Sequence, residues 1–404
     1  MAIWIDPPVW PAHGRLWSHL VSDTSYDELH AFAAGHGLPR RSFERDHYDV
    51  PEQLHADLVT AGARPVPSRE LVRRLTAAGL RRRKVDSPAR RAHGSPLLRP
   101  PRLKAGDLVA VAAASGPMAL DALARGVAVL QSWGLRVRVL PHAGDQSAGE
   151  LGYLAGTDAD RAADFTAAWC DDEVAAVVAA RGGYGAQRMV DLVDWRALAE
   201  ASPKILTGFS DVTALHQAVA GRLGLVSMHG HVATSLGAAE TGSVEAMRAM
   251  LFEPDAADLL RGARVTAVVG GTARGVLLGG NLSVLAADVG TATSRPARGG
   301  IVVLEDVDES PYRIDRLVTQ LLRSGWLDNA RGIVGGAFTR CGQPGAAEAV
   351  LRDRLAPLGV PFVTGLDAGH SSTTISVPLG VRATLDVPAG GGAASLRLDL
   401  PPFG

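Results

Sequence analysis

From Asp107 onward the chain alternates short apolar runs with stretches of helical period, and that alternation leaves few folds open. Leu108–Ala114, Val137–Leu140, Val174–Ala180 and Ile205–Thr207 read as strands, with Leu120–Trp133, Asp158–Trp169, Ala186–Leu192 and Val212–Arg222 as helices between them. Parallel strands need long crossovers, so this order predicts a mostly parallel sheet covered by helices on both faces. Ligands of such sheets gather at the carboxyl ends of the strands. Ser115, Gly183 and Ser210 each follow a strand and are expected to face one crevice.

Residues 102–236 form this first lobe, and 237–272 read as a connection to a second lobe over 273–400. That lobe takes Gly275–Leu278, Ile301–Leu304, Gly332–Gly335 and Pro361–Val363 as strands, then a β-rich end that includes Val381–Val387. The spacing of Ile314, Leu317, Val318 and Leu321 predicts a helix over Ser310–Ser324. Residues 1–80 read as a separate small α+β unit with helical patterns near Tyr26–Ala34, Pro51–Ala61 and Ser68–Leu80. The stretch 81–101 is basic, contains proline and lacks apolar period, which reads as an exposed linker.

At 404 residues the chain exceeds one ordinary core, so two or three domains are expected. Hydrophobic residues at 47% and charged residues at 21% are those of a globular protein. A net charge of −1 argues against nucleic acid as a partner, although residues 1–100 carry 15 Lys+Arg against 11 Asp+Glu, or +4, leaving −5 for the rest. Two cysteines far apart, Cys170 and Cys341, exclude a disulfide scaffold and fit a reducing compartment. The first residues have no basic n-region or apolar h-region, and no stretch approaches 18 apolar residues. Cytoplasm is the expected address, without a membrane partner.

Three loops carry chemistry. Thr207-Gly208-Phe209-Ser210-Asp211-Val212-Thr213 reads as a strand end, a tight turn bearing a hydroxyl, and a helix start. It matches the G-x-S-x-G elbow except that Val212 replaces the last glycine, and a helix N-cap serine is the competing reading. Gly300–Asp306 is an apolar run that delivers Glu305 and Asp306 at its end, where strand alternation sends the two carboxylates to opposite faces. Gly365–Ser372 places His370 in a loop of small residues. Ser, acid, His is one of the chain orders in which a catalytic triad occurs. Arg181-Gly182-Gly183-Tyr184-Gly185 lacks the pattern of a phosphate loop and suits close approach of backbone to substrate.

In these blocks the chain resembles the LD-carboxypeptidase family of serine peptidases, which includes muramoyltetrapeptide carboxypeptidases and microcin-immunity peptidases. The matching segments stand in family order from about Pro101 to Val387: Ala105–Val111 with Ala114–Pro117, Arg181–Gly185, Gly208–Asp211, Leu278–Ser283, Leu304–Asp306 with Pro311–Arg316, and Gly369-His370. The resemblance implies a two-lobed α/β serine peptidase with a mixed, β-rich second lobe and the active site between lobes. It implies Ser210 as nucleophile, His370 as general base and Glu305 as the acid that orients it. The oxyanion is expected at the backbone N–H groups of Asp211 and Gly183. The implied reaction releases terminal D-alanine from muropeptide tetrapeptides, with no cofactor or metal, in a chain expected to form a homodimer. A peptidase or amidase acting on peptidyl-nucleotides or acylated amino acids is the alternative within the family, and a non-catalytic muropeptide sensor the alternative outside it. The family's more glycine-rich loop is replaced here by Ser371-Ser372, and the N-terminal unit is an addition.

That unit resembles a small bacterial domain of unknown function that shares the opening Asp-Pro-Pro-Val-Trp-Pro-Ala-His-Gly-Arg. Seven of the twelve histidines lie in the first hundred residues: His13, His19, His30, His36, His47, His55 and His93. None shows H-x₃-H spacing on one helix, so surface and interface roles are expected. A metal site would need His19, His30 and Asp46 to converge in the fold.

Overall fold

The computed structural model describes residues 3–12, 14–44, 46–78, 80, 96–255, 259, 265–389 and 393–404. The chain splits into two compact units, Met1–Asp86 and Ser87–Gly404. Most of the basic stretch at 81–95, with His93, lies outside the described residues, as does His13. The last part of that stretch is docked on the second unit: Leu97 is buried, and Leu98 bridges to Leu225.

The first unit is built on β1 (Ile3–Ile5), β2 (Trp10–Ala12), β3 (Arg15–Ser22), β4 (Phe43–Glu44), β5 (His47–Pro51) and β6 (Arg64–Pro65). Their order is β4-β5-β3-β1-β6, with β2 paired to β3. Helices α1 (Tyr26–Gly35) and α2 (Glu52–Thr60) pack Leu29, Ala33 and Leu58 against Ile3, Ile5, Leu20, Tyr48 and Val50. Helix α3 (Ser68–Ala77) packs Leu71 and Leu75 against Trp4 and Val21 from the other face of the sheet. The three helical patterns seen in the sequence are present. Strand β3 was not foreseen there, because both of its faces carry apolar side chains and alternation is lost. Along β5, Tyr48 and Val50 are buried while His47, Asp49 and Pro51 stay half-exposed, as strand periodicity requires. His30 lies on the Tyr48 side, its Nδ1 3.1 Å from the Tyr48 hydroxyl and its ring against Arg40. It does not converge with His19.

The second unit holds two sheets. The first combines β7 (Leu108–Ala112), β8 (Arg136–Val139), β9 (Val174–Ala179), β10 (Ile205–Gly208), β11 (Ser227–His229) and a late strand, Val377–Leu379. Strands β8-β7-β9-β10-β11 are parallel, and the late strand closes the β11 edge in antiparallel register. All five residues of β7 are buried, as expected of a parallel strand covered on both faces. Crossovers run through α4 (Leu120–Ser132), α5 (Asp158–Cys170), α6 (Ala186–Met189), α7 (Trp195–Glu200) and α8 (Thr213–Ala218).

After α9 (Ala233–Leu236), the stretch read as a connection contains α10 (Thr241–Phe252), which buries Val244, Met247 and Leu251, and β12 (Thr266–Val269). The second sheet adds β13 (Gly271–Asn281), β14 (Gly300–Val307), β15 (Gly332–Thr339), β16 (Phe362–Thr364), β18 (Arg382–Val387) and β19 (Ser395–Leu398), the late strand being β17. Its order is β12-β16-β15-β14-β13-β18-β19, with a parallel centre and antiparallel edges. Helices α11 (Leu282–Ala287), α12 (Pro311–Arg323) and α13 (Ala346–Leu355) cover one face. A single apolar cluster runs through both sheets, joining Val109, Ile205 and Met228 to Leu277, Ile301, Val334 and Leu385. The chain leaves β16 in one sheet and enters β17 in the other, so the loop 365–376 spans the two lobes. Among the described residues no helix is long and apolar enough to cross a membrane.

Candidate active site

Strand β10 ends at Gly208, and the chain turns through Phe209 into a single 3-10 turn, Ser210–Val212, ahead of α8. Ser210 sits at φ 64°, a left-handed value that a side chain disfavours. Strain of this kind at a strand-to-helix turn characterises the nucleophile elbow. Neither helical start has a side-chain cap hydrogen bond, so Ser210 is not an N-cap. The lost glycine of the motif is explained by packing: Val212 is fully buried and fills the space beside Gly208, where a Cβ would lie 2.9 Å from its Cγ1.

Two buried groups hold the elbow from behind. His216 Nε2 donates to the Gly208 carbonyl at 2.8 Å, and the Ser227 hydroxyl faces His216 Nδ1 at 2.8 Å. The Asp211 carboxylate accepts the Ala186 N–H at 2.7 Å, tying the turn to the start of α6. Burial raises the Asp211 carboxyl pKa. Arg161, fully buried, donates to the Ala114 carbonyl at 2.6 Å and pairs with Asp158.

The Gly182-Gly183 loop lies directly against the serine. A Cβ on Gly182 would stand 2.8 Å from Ser210 Cβ and 3.0 Å from its Oγ, so only glycine fits. The Gly182 carbonyl accepts the Gly116 N–H at 3.1 Å. Because the peptide is planar and trans, this bond aims the Gly183 N–H away from Gly116. Among the described residues neither the Gly183 nor the Asp211 N–H donates a hydrogen bond. Ser115, Gly183 and Ser210 thus belong to loops in mutual contact.

Glu305 and His370 arrive from the second lobe. His370 Nδ1 donates to Glu305 Oε2 at 2.7 Å, with Glu305 fully buried and His370 partly open. The imidazole also packs edge-on against Phe209, the residue before Ser210, with ring centroids 4.8 Å apart. Ser210 Oγ itself forms no hydrogen bond among the described residues. A bulge shapes this corner: Leu304 pairs with Gly335 but Asp306 with Phe338, so β15 gains a residue opposite Glu305. There the Ala337 N–H donates to the Ala368 carbonyl at 2.8 Å and draws in the histidine loop. Thr339 Oγ1 donates to the His370 carbonyl at 2.5 Å, the Gly369 N–H donates to Thr374 Oγ1 at 2.8 Å, and the Ser371 hydroxyl donates to Asp367.

Asp306 points elsewhere. It accepts from Asn281 Nδ2 at 3.0 Å, from the Ser283 N–H at 2.9 Å and from Ser283 Oγ at 2.7 Å, while Asn281 caps α11 through the Val284 N–H. Its task is to fix the start of that helix. Tyr312 and Arg313 lie exposed on the rim.

Gly369 holds φ 118°, and a Cβ there would stand 2.3 Å from Glu305 Oε2. Gly369→Ala must therefore displace either the loop or the carboxylate. Since a misplacement of about 1 Å costs on the order of 10²-fold in rate, kcat/KM is expected to fall by at least that factor. The check is a rate assay on protein whose circular dichroism matches wild type.

Nothing in the residue pattern singles out His229, at the end of β11. It is fully buried, both ring nitrogens lack a partner among the described residues, and Nε2 lies 4.0 Å from Glu305 Oε1. Burial, with the nearby His370, brings its pKa to about 3. Burial likewise drives His216 to about 3 and His231 to about 4. These values lie below the unfolded value of about 6.5, so the unfolded chain takes up protons first as pH falls. Stability is full above about pH 6.5 and is lost on acidification toward the folded values, by up to about 1.4 kcal/mol per pH unit for each such histidine. Asp211 and Asp306, whose pKa values burial raises, act in the opposite sense. Urea unfolding at pH 7.5 and 5 should therefore show a smaller acid loss in His216→Gln than in wild type. Equal losses would contradict a buried neutral His216.

Residues 109–230 match the LD-carboxypeptidase N-terminal domain and residues 274–385 the LD-carboxypeptidase C-terminal domain. Residues 3–78 match a family described only as a protein of unknown function, DUF4031. A Streptomyces coelicolor protein named as a carboxypeptidase is 50% identical over 307 residues, covering 76% of this chain and 97% of the relative. The murein tetrapeptide carboxypeptidase of Pseudomonas aeruginosa is 34% identical over 289 residues, 69% of this chain and 92% of that protein. The solved structure of MccF in complex with glutamyl sulfamoyl guanosine superposes with a TM-score of 0.67 at 21% identity, over 76% of this chain and all of that one. The chain belongs to the LD-carboxypeptidase family.

Proposed function

We propose that the second unit is a serine-type LD-carboxypeptidase that releases terminal D-alanine from murein tetrapeptides. The observation that carries this reading is the His370–Glu305 hydrogen bond beside a serine held at positive φ. Substrate binding closes the gap between Ser210 Oγ and His370 Nε2, a contact that is often long without substrate. His370 Nε2 takes the hydroxyl proton as Ser210 Oγ attacks the carbonyl carbon that precedes D-alanine. Glu305 holds the proton on Nδ1 and stabilises the imidazolium. The developing oxyanion meets the free N–H groups of Gly183 and Asp211, each worth roughly 3–4 kcal/mol in sites of this type. The C–N bond breaks as His370 returns the proton to the leaving amine. Water then attacks the acyl-serine with His370 again as base.

The relative from Pseudomonas aeruginosa, named for murein tetrapeptide, supports that substrate class for this chain. The test is a digest of a muramoyl tetrapeptide read by mass spectrometry, with a peptidyl-adenylate in a parallel arm. Loss of one D-alanine from the tetrapeptide alone is the expected result. Cleavage of only the peptidyl-adenylate would move the enzyme to the microcin-immunity type. Tight binding without cleavage of either would make it a sensor.

A further inference from the structure

The N-terminal unit carries a cluster that the peptidase chemistry does not use. In the register of β3 against β5, His19 stands directly opposite Asp49, and His47 lies two residues before Asp49 on the same face of β5. The three side chains converge, with one ligand-type atom from each inside a sphere where no two are more than 4.8 Å apart. His47 Nε2 lies 3.4 Å from Asp49 Oδ1, and His19 Nε2 3.9 Å from the same oxygen. Ligands bound tetrahedrally to zinc at about 2.0–2.1 Å stand roughly 3.3 Å apart, so the cluster has the dimensions of a coordination site with little closing needed.

The ring tautomers are fixed from behind. Asp6, fully buried, accepts from Trp10 Nε1 at 3.1 Å and from the His19 backbone N–H at 2.5 Å. Both are obligate donors, so the carboxylate is an acceptor, and His19 Nδ1, 3.1 Å from Asp6 Oδ2, must donate to it. Asp46, also buried, receives His47 Nδ1 at 2.7 Å. With Nδ1 turned to a carboxylate behind it, each ring presents its Nε2 toward Asp49. Without a metal a proton on His47 Nε2 fills that place, since against burial, which lowers it, the Asp46 and Asp49 carboxylates push the His47 pKa up to about 9. A metal ion would displace that proton. A histidine that donates its far nitrogen to a carboxylate is the arrangement that orients metal-binding imidazoles, and it occurs twice here.

We propose that the N-terminal unit binds one divalent transition-metal ion of the zinc class through His19 Nε2, His47 Nε2 and the Asp49 carboxylate. His19, His47 and Asp49 remain 26%, 19% and 38% exposed, so the ion keeps at least one coordination position toward solvent. Three protein ligands with an open position is the pattern of sites that bind water or an anionic ligand, in contrast to the four-ligand closure of structural zinc.

The experiment uses the full chain without a histidine tag, stripped with chelator, incubated with Zn²⁺ and desalted. Metal per chain is then measured by plasma mass spectrometry, and affinity by competition with a chromophoric chelator. Wild type should retain one more equivalent than His47→Ala or Asp49→Ala, both of which alter half-exposed strand positions. Asp46→Asn should keep the site but weaken it by about 10–100-fold, a graded effect that unfolding would not give. Circular dichroism of each variant confirms that the fold persists. If wild type retains no zinc, or if His47→Ala and Asp49→Ala retain as much as wild type with the same affinity, the proposal is overturned.

Discussion

Ser210→Ala is expected to lower kcat for D-alanine release by about 10⁴–10⁶-fold, with KM little changed. In the proposed mechanism the hydroxyl forms the new bond, and it lies against Gly182, one residue after the Phe209 ring that packs on His370. His370→Ala should cost a similar factor, since a serine without its base is a poor nucleophile. The double variant should be scarcely worse than either single one, because the two groups act in one step. Additive, modest losses in a steady-state assay would mean that the residues act separately. Folding is not at issue for Ser210→Ala, which removes a left-handed serine hydroxyl that holds nothing else in place.

The second large effect is expected at Glu305→Gln, with kcat falling by about 10⁴-fold. Glu305 Oε2 accepts the proton on His370 Nδ1, which leaves the Nε2 lone pair for the serine. An amide can present its N–H₂ group to Nδ1 and place the ring proton on Nε2, where the ring is useless as a base. It also removes the negative charge that steadies the imidazolium. The neighbouring change Asp306→Asn is the internal control. Asp306 holds Asn281 and Ser283 at the start of α11. Its loss should appear as about 1–3 kcal/mol of stability, with kcat in the folded enzyme within several-fold of wild type. Denaturant unfolding and the D-alanine assay on the same two proteins separate these outcomes. Equal loss of activity in both would show that the two carboxylates share one task.

Periodicity made the strands of the first lobe legible, because parallel strands such as β7 are apolar throughout and their helices keep a clear period. It could not choose between Glu305 and Asp306, which leave one strand in opposite directions. That choice depends on the extra residue of β15 and on Gly369, which let the histidine loop lie on Glu305. His216 and His229 gave no signal, since a histidine at a strand or helix end looks the same in sequence whether it is buried or not. The N-terminal cluster was missed for a different reason. Helical His spacing is the sequence sign of a paired-histidine site, whereas His47-x-Asp49 is a strand spacing, and its partner His19 comes from β3, whose alternation is hidden by apolar residues on both faces. Asp46 orients His47 from behind and is not among the three converging groups.

The most direct test of the serine mechanism is labelling with a fluorophosphonate, followed by peptide mapping. The reagent should attach to Ser210 alone, abolish D-alanine release in step with labelling, and fail to react with the His370→Ala protein. An enzyme that is fully labelled at Ser210 yet still releases D-alanine at the wild-type rate would contradict the assignment outright.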